Sequence, residues 1–302
     1  MKKKILINTD LGDDADDAVA VALALNSDEI EIKGITTVFK NTKLRAKMVK
    51  DLLEIYERRE IPVIAGYGMP LIERVDVKEA PIQIENLLKD HKLDEDMNAV
   101  DFIINTIKED PETIIVEMGP QTNLALAFLK APEIMKQAKI IAMGGAFWST
   151  FPEWNIVCDP EAARIVTDFA QDLTMIGLDV TKYCKVSEAH LHKFKESNLP
   201  QIQYLYKGME VFMRETGHPI TLHDALLIVY LLDEKLITLK QGDFGVELGG
   251  THTRGTIVHK SNYYEIEPKV DKRFYYAVDL DLNKVMDLIL NRVFNINYSL
   301  ER

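Results

Sequence analysis

The sequence predicts an α/β protein: a mostly parallel, open sheet flanked by helices, in one domain spanning residues 1–302. Three observations carry that expectation. Short runs of Ile, Val and Leu alternate with amphipathic helical patterns along the chain, as repeated strand–helix units do. Polar residues recur just after the predicted strands, where a parallel sheet gathers its carboxyl ends on one edge. With 302 residues, 47% of them hydrophobic, and no repeat or low-complexity tract, the chain can bury a large core.

Composition narrows the function classes. A net charge of −12 argues against nucleic-acid binding, which runs on phosphate neutralisation. No apolar stretch approaches the roughly 20 residues of a membrane span, and the run after Met1-Lys2-Lys3-Lys4 is too short for a signal peptide. A cytoplasmic location is therefore expected. Cys158 and Cys184 read as reduced, buried thiols, too few to build a metal cluster by themselves.

Taken in order, Ile5 to Ile7 reads as a buried strand and Asp14 to Leu25 as a helix rich in Ala, Val and Leu. Glu31 to Phe39 is a second strand. Thr42 opens a helix towards Arg59, with Leu44, Met48, Leu52 and Ile55 on one stripe. A short strand at Ile61 to Ala65 runs into the loop Gly66 to Pro70, and residues 71–95 are charged and irregular, as a mobile flap would be. Asn98 to Lys108 is a helix and Thr113 to Met118 a strand; Gly119-Pro120 breaks it and a helix runs on to Lys130. Ala138 to Met143 is the next strand, followed by a Trp-containing loop and then by the helix Glu161 to Phe169, with Pro160 at its first position. Leu173 to Leu178 is a strand. Helices follow near 187–195, 198–215 and after His223-Asp224. Phe244 to His259 suggests a hairpin, and a strand near 274–279 with a helix from Leu282 to Asn295 closes the chain.

The densest chemistry lies at the first strand–helix turn. Asp10, Asp13, Asp14, Asp16 and Asp17 crowd a segment in which Gly12 relieves the backbone. A helix N-terminus favours a carboxylate by only about 0.3–1 kcal/mol, which does not account for five. Converging carboxylates repel, and a proton or a cation must settle the conflict. Oxygen ligands without nearby Cys or His favour Ca²⁺ or Mg²⁺ over zinc. Further polar residues follow other strands: Asn41, the Met118-Gly119 backbone, Gly144-Gly145 with Glu153 and Asn155, and His223-Asp224. Each has an ordinary explanation as a cap, turn or surface loop, but together they fall on one sheet edge.

These segments resemble the inosine–uridine-preferring nucleoside hydrolases, a family of Ca²⁺-dependent N-ribohydrolases with an open α/β sheet. The likeness rests on Asn8-Thr9-Asp10-Leu11-Gly12 with Asp16-Asp17-Ala18, and on Gly34-Ile35-Thr36-Thr37-Val38 up to Asn41. It continues through Met118-Gly119-Pro120-Gln121-Thr122-Asn123, Met143-Gly144-Gly145, Glu153-Trp154-Asn155-Ile156, Asp159-Pro160-Glu161-Ala162-Ala163 and His223-Asp224. The resemblance implies that Asp10 binds Ca²⁺ and is general base to the attacking water, and that Asp17, Asp224 and the Met118 carbonyl complete the protein ligands. It implies that Asp16, Asn41, Glu153 and Asn155 hold ribose hydroxyls, with Met143 against the sugar and His223 donating a proton to the departing base. It also implies a small-molecule nucleoside substrate and a homodimer or homotetramer.

That chemistry suits the residue types. N-glycosidic cleavage passes through an oxocarbenium-like sugar, which carboxylates and neutral oxygen groups stabilise. The chain departs from the family in places. Asn8 stands where Asp is usual, and Leu11 where Pro is frequent. Two additional residues before Asp16-Asp17 leave Asp14 as an alternative sugar contact. The Gly145–Glu153 loop is short, and the Gly66–Ala80 region lacks the usual His. Two rival readings are a catalytically idle nucleoside- or sugar-binding protein and a haloacid dehalogenase-type phosphatase, whose nucleophile position would fall on Asn8.

Overall fold

Ile5, Leu6 and Ile7 are fully buried in β1 (Lys3–Thr9), an inner strand of an eight-stranded sheet. Such a continuous apolar run is what a strand covered on both faces requires. The computed structural model describes residues 2–94, 96–260, 273–296 and 298. After β1 come α1 (Asp16–Leu25), β2 (Ile30–Thr37), α2 (Thr42–Ile55), β3 (Val63–Ala65), α3 (Ala99–Glu109), β4 (Ile114–Glu117), α4 (Thr122–Lys130), the single turn α5 (Pro132–Met135) and β5 (Lys139–Met143). The second half holds α6 (Trp154–Cys158), α7 (Pro160–Phe169), β6 (Asp172–Ile176), α8 (Leu178–Thr181), α9 (Glu188–Glu196), α10 (Pro200–Thr216) and α11 (Ala225–Leu232). It ends with β7 (Ile237–Gln241), β8 (Phe244–Val246), β9 (Ile257–His259), β10 (Arg273–Leu280) and α12 (Leu282–Phe294).

The strand order is β3-β2-β1-β4-β5-β6-β10-β7, parallel except for β7, which runs antiparallel to β10. The expected mostly parallel α/β sheet is therefore present. β1 alternates its side chains between two cores. Ile5 and Ile7 pack with α1, α2, α10, α11 and α12 on one face, and Leu6 packs with α3, α4 and α7 on the other. From β1 the chain first builds outward through β2 and β3, then returns to the opposite side with β4, β5 and β6. The strand order thus reverses between β1 and β4, and a crevice opens beyond their carboxyl ends, where open α/β sheets bind ligands.

Several local expectations shift. The first helix begins at Asp16 and not at Asp14, because residues 11–15 form a turn around Gly12, whose φ is +114°. Glu153-Trp154-Asn155 is the start of α6, with Glu153 as N-cap, and not a loop. β7 carries no strong strand signal in the sequence; as an edge strand it buries little beyond Ile237. The expected hairpin is β8–β9, with Phe244 opposite His259. The second half of the expected mobile flap is fastened: Gln83 donates from its backbone to Gly12 O (2.8 Å) and from Nε2 to Asp14 O (2.6 Å). Farther along, the Leu88 N–H reaches buried Asp51 (2.7 Å). No helix among the described residues is long and apolar enough to cross a membrane.

The last helix closes the core through Phe294, whose ring stacks on Phe194 at a centroid distance of 3.8 Å with both residues buried. Phe294→Ala should lower stability by about 3–5 kcal/mol, the usual cost of emptying a buried aromatic site. The urea midpoint would fall with an unchanged slope. A loss below about 1 kcal/mol would mean that α12 does not close the core.

Candidate functional site

The carboxyl ends of β1, β4 and β5, with the starts of α1, α6 and α11, surround a cavity of about 490 Å³. Asp10, Asp14, Asp16 and Asp17 from the first turn line it, as do His223 and Asp224 before α11. Met118, Met143, Glu153 and Asn155 complete the wall from the other strand ends. Ten of the eleven site residues expected from the sequence thus meet in one cavity. Asn41 does not line it: its Oδ1 accepts from the Leu44 N–H (3.2 Å) to cap α2, and its Nδ2 donates to the Lys78 carbonyl (3.2 Å). The capping use of Asn has won at that position.

Carboxylate oxygens of Asp16, Asp17 and Asp224 lie within 4.8 Å of one another, and all three residues are at most 4% exposed. The tight triad therefore contains Asp16, which sequence reasoning gave to the sugar, while Asp10 stands beside it. The backbone builds this arrangement. Thr9 Oγ1 donates to Asp17, and the Asp224 N–H donates to Asp16 Oδ2 (2.8 Å), tying α11 to α1. Gly119, just past β4, allows Asp10 its place: a Cβ there would sit 2.8 Å from Asp10 Oδ1.

Burial pushes the Asp10 carboxyl up to about 7, against the lowering pull of Arg45 and with Asp13 adding to the rise. Burial likewise raises Asp16 to about 6 and Asp17 and Asp224 well above the usual carboxylate range, with neighbouring aspartates adding to the last two. Among the described residues no N–H or O–H donates to the Asp224 carboxylate. A dry cluster of oxygen donors at such a potential fits a hard divalent cation.

Asp13 has a different task. It pairs with Arg45 (2.6 Å), a fully buried cation that also donates to the carbonyls of Asp10, of Leu11 (3.2 Å) and of Phe39 (2.8 Å). Sequence reasoning missed Arg45, which the pattern of α2 presents as one more polar helix residue; the apolar stripe beside it gave no signal. Asp14 is half-buried, and burial raises it to about 7, with Asp16 adding and His223 opposing.

On the opposite wall, the Glu153 carboxylate accepts the N–H groups of Asn155 (2.8 Å), Gly145 (3.1 Å) and Ile156 (3.2 Å). Burial still holds its acidity weak. Asn155 Nδ2 bridges the ends of β4 and β5, donating to the carbonyls of Met118 (2.9 Å) and Met143 (3.4 Å). His223 Nδ1 lies 2.8 Å from Thr181 Oγ1, which fixes the ring. Burial lowers its basicity, and the Asp14 charge opposes that. Asn8 is buried away from the cavity, in contact with Glu117 (2.5 Å), Thr36 (2.7 Å) and Asn123 (2.7 Å). It offers no phosphatase nucleophile.

The arrangement has relatives. The family model described as "Inosine-uridine preferring nucleoside hydrolase" matches residues 5–287. A pyrimidine-specific ribonucleoside hydrolase RihA from Salmonella arizonae is 31% identical, over 97% of this chain and 99% of the relative. The solved plant nucleoside hydrolase PpNRh1 superposes with a TM-score of 0.86 at 29% identity, covering 97% of this chain and 99% of the other. A purine-preferring ribonucleoside hydrolase from Gardnerella vaginalis gives 0.82 at 27% identity, covering 96% and 98%. With its carboxylates gathered at the switch point of the same sheet, the chain belongs to the inosine–uridine-preferring nucleoside hydrolase family and is a nucleoside hydrolase.

Proposed function

We propose that the protein hydrolyses the N-glycosidic bond of ribonucleosides to free base and ribose, with Ca²⁺ in the aspartate cluster. One observation carries this reading. Buried, uncompensated carboxylates converge at the β1/β4 switch point in a cavity that also holds Glu153, Asn155 and His223. In our reading Asp10, Asp17, Asp224 and the Met118 carbonyl hold the ion; a carbonyl oxygen has two lone pairs, so the Asn155 contact leaves one available. Ca²⁺ held there would supply an acidified, positioned water.

The remaining work falls to the protein. Asp10 accepts the proton of the attacking water; burial has already raised its basicity into the range that suits a base near neutrality. Asp16, Glu153 and Asn155 bind ribose hydroxyls, with Met143 beneath the sugar. Their negative charge and dipoles stabilise the developing oxocarbenium ion more than the ground state. Asp14 faces the leaving-group side, near His223, which delivers a proton to the departing base. A pyrimidine-specific and a purine-preferring relative share this frame, so base choice lies in the residues that line the outer cavity.

Three outcomes test this reading. The metal-free protein should lose stability as pH rises. In the unfolded chain these aspartates ionise near pH ~3.9, whereas Asp16 and Asp10 fold with values of about 6 and about 7. The folded state therefore keeps protons that the unfolded state releases, and stability falls as pH climbs through that interval. Glu29, held to about 2 by Arg292, is ionised in both states above pH ~5.5 and adds no slope there. Millimolar CaCl₂ should raise the melting temperature of chelated protein by several degrees at pH 7.5 and by much less at pH 5. An equal shift at both pH values would place the ion elsewhere.

Asp10→Asn should lower kcat for release of ribose by about 10²–10⁴ while the protein stays folded. Ribose release at the wild-type rate would remove Asp10 from the base role, and wild-type protein that binds nucleosides without releasing ribose would be an idle binding protein. His223→Ala should slow nucleosides by a similar factor yet barely alter p-nitrophenyl riboside, whose leaving group departs without a proton. Equal loss on both substrates would make His223 a structural residue.

A further inference from the structure

The catalytic cavity does not end at His223. A second cavity of about 650 Å³ adjoins it, and Asp14, Phe212, His218 and His223 line both. Beyond those shared residues its wall is formed by Lys182, Tyr183, Lys185 and Thr221, with Pro219. The charge reverses from one cavity to the next. The first is walled by aspartates, its Lys40 paired with Glu79, whereas among the described residues Asp14 is the one acid lining the second, facing two lysines. Among the described residues neither lysine forms an ion pair; Lys182 Nζ lies 5.1 Å from the centre of the Tyr183 ring.

The annexe is a built feature. Lys185 and Thr221 form an antiparallel bridge, flanked by hydrogen bonds from the Val186 N–H to Ile220 O (3.0 Å) and from the Leu222 N–H to Cys184 O (2.8 Å). The segment carrying the lysines is thus tied to the segment that carries His223 and Asp224.

We propose that this annexe binds an anionic group, a carboxylate carried by the leaving base. The proposal rests on the nucleoside-cleaving reading, in which His223 stands at the base end of the substrate. An anion elsewhere in the cavity would meet Asp10, Asp16, Asp17 and Asp224. Lys40, the ammonium that lines the catalytic cavity, is paired with Glu79 (2.7 Å), whereas past His223 two lysines without an ion pair face the space, and the shared wall lets the outer edge of a heteroaromatic ring reach them. The substrate class is then a ribonucleoside whose base bears an ionised carboxylate.

The test compares matched carboxylate and carboxamide ribosides: the uridine 5- and 6-acids, the pyridine-3-carboxylate riboside and their amides, with plain uridine and inosine as references. In at least one pair the carboxylate should be favoured in kcat/KM by about 3- to 30-fold, the sum of two exposed charge contacts. Half-molar salt should narrow the preference. Lys182→Met with Lys185→Met should abolish it and leave the reference nucleosides unchanged. If all three pairs favour the amide, or the preference survives the double substitution, the annexe does not bind a carboxylate and the proposal falls alone. If no riboside, plain or acidic, releases ribose, the nucleoside-cleaving reading falls and takes the annexe with it.

Discussion

The structure is organised around like charge held together out of water. Asp16, Asp17 and Asp224 converge with Asp10 beside them, all nearly buried, at the point where the sheet reverses its strand order. Ionised carboxylates in such a place are costly without a proton or a cation. Two elements distant in sequence must therefore be clamped: the Asp224 N–H on Asp16 joins α11 to α1, and Thr9 holds Asp17 from the strand below. The energy that this crowding costs is recovered when a cation enters, so local instability and ligand affinity are two sides of one arrangement.

Arg45 shows how the protein keeps the turn in shape without cancelling that charge. A buried guanidinium needs acceptors around it, and each nitrogen of this one has at least one, from three backbone carbonyls and Asp13. Its positive charge lowers Asp10 only in part, and burial still dominates. All five aspartates of the turn line the cavity, but Asp13 alone among them also neutralises a structural cation. Gln83 fastens the same turn from the other side through Gly12 and Asp14.

Beneath the site, Asn8 explains its own departure from the family pattern. The β1–β4 register puts it opposite Glu117, a fully buried acid. Its amide nitrogen donates to Glu117, and its oxygen accepts from Thr36 and Asn123. An aspartate at position 8 would set two carboxylates face to face in a dry interior, which the amide avoids.

The sequence by itself determined the sheet and the location of the chemistry. Ile5–Ile7, the helical stripe of α2 and the Gly and Pro breaks are local signals, and polar residues after parallel strands must share one edge whatever the remaining packing. Family likeness then attached roles to nine residues that do line the cavity. Tertiary structure alone decided which carboxylates touch. Asp13, Asp14, Asp16 and Asp17 are equivalent as letters, and only the turn at Gly12 and the approach of α11 separate an ion-paired residue, a rim residue and a buried triad. It also decided that Asn41 caps a helix, that Arg45 is a core residue, and that Lys182 and Lys185 face a space continuous with the site. Apart from the local Asn41 cap, these relations join segments distant in sequence, such as Asp13 and Arg45, 32 residues apart, and Asp16 and Asp224, 208 apart, and no local pattern encodes the distance between them.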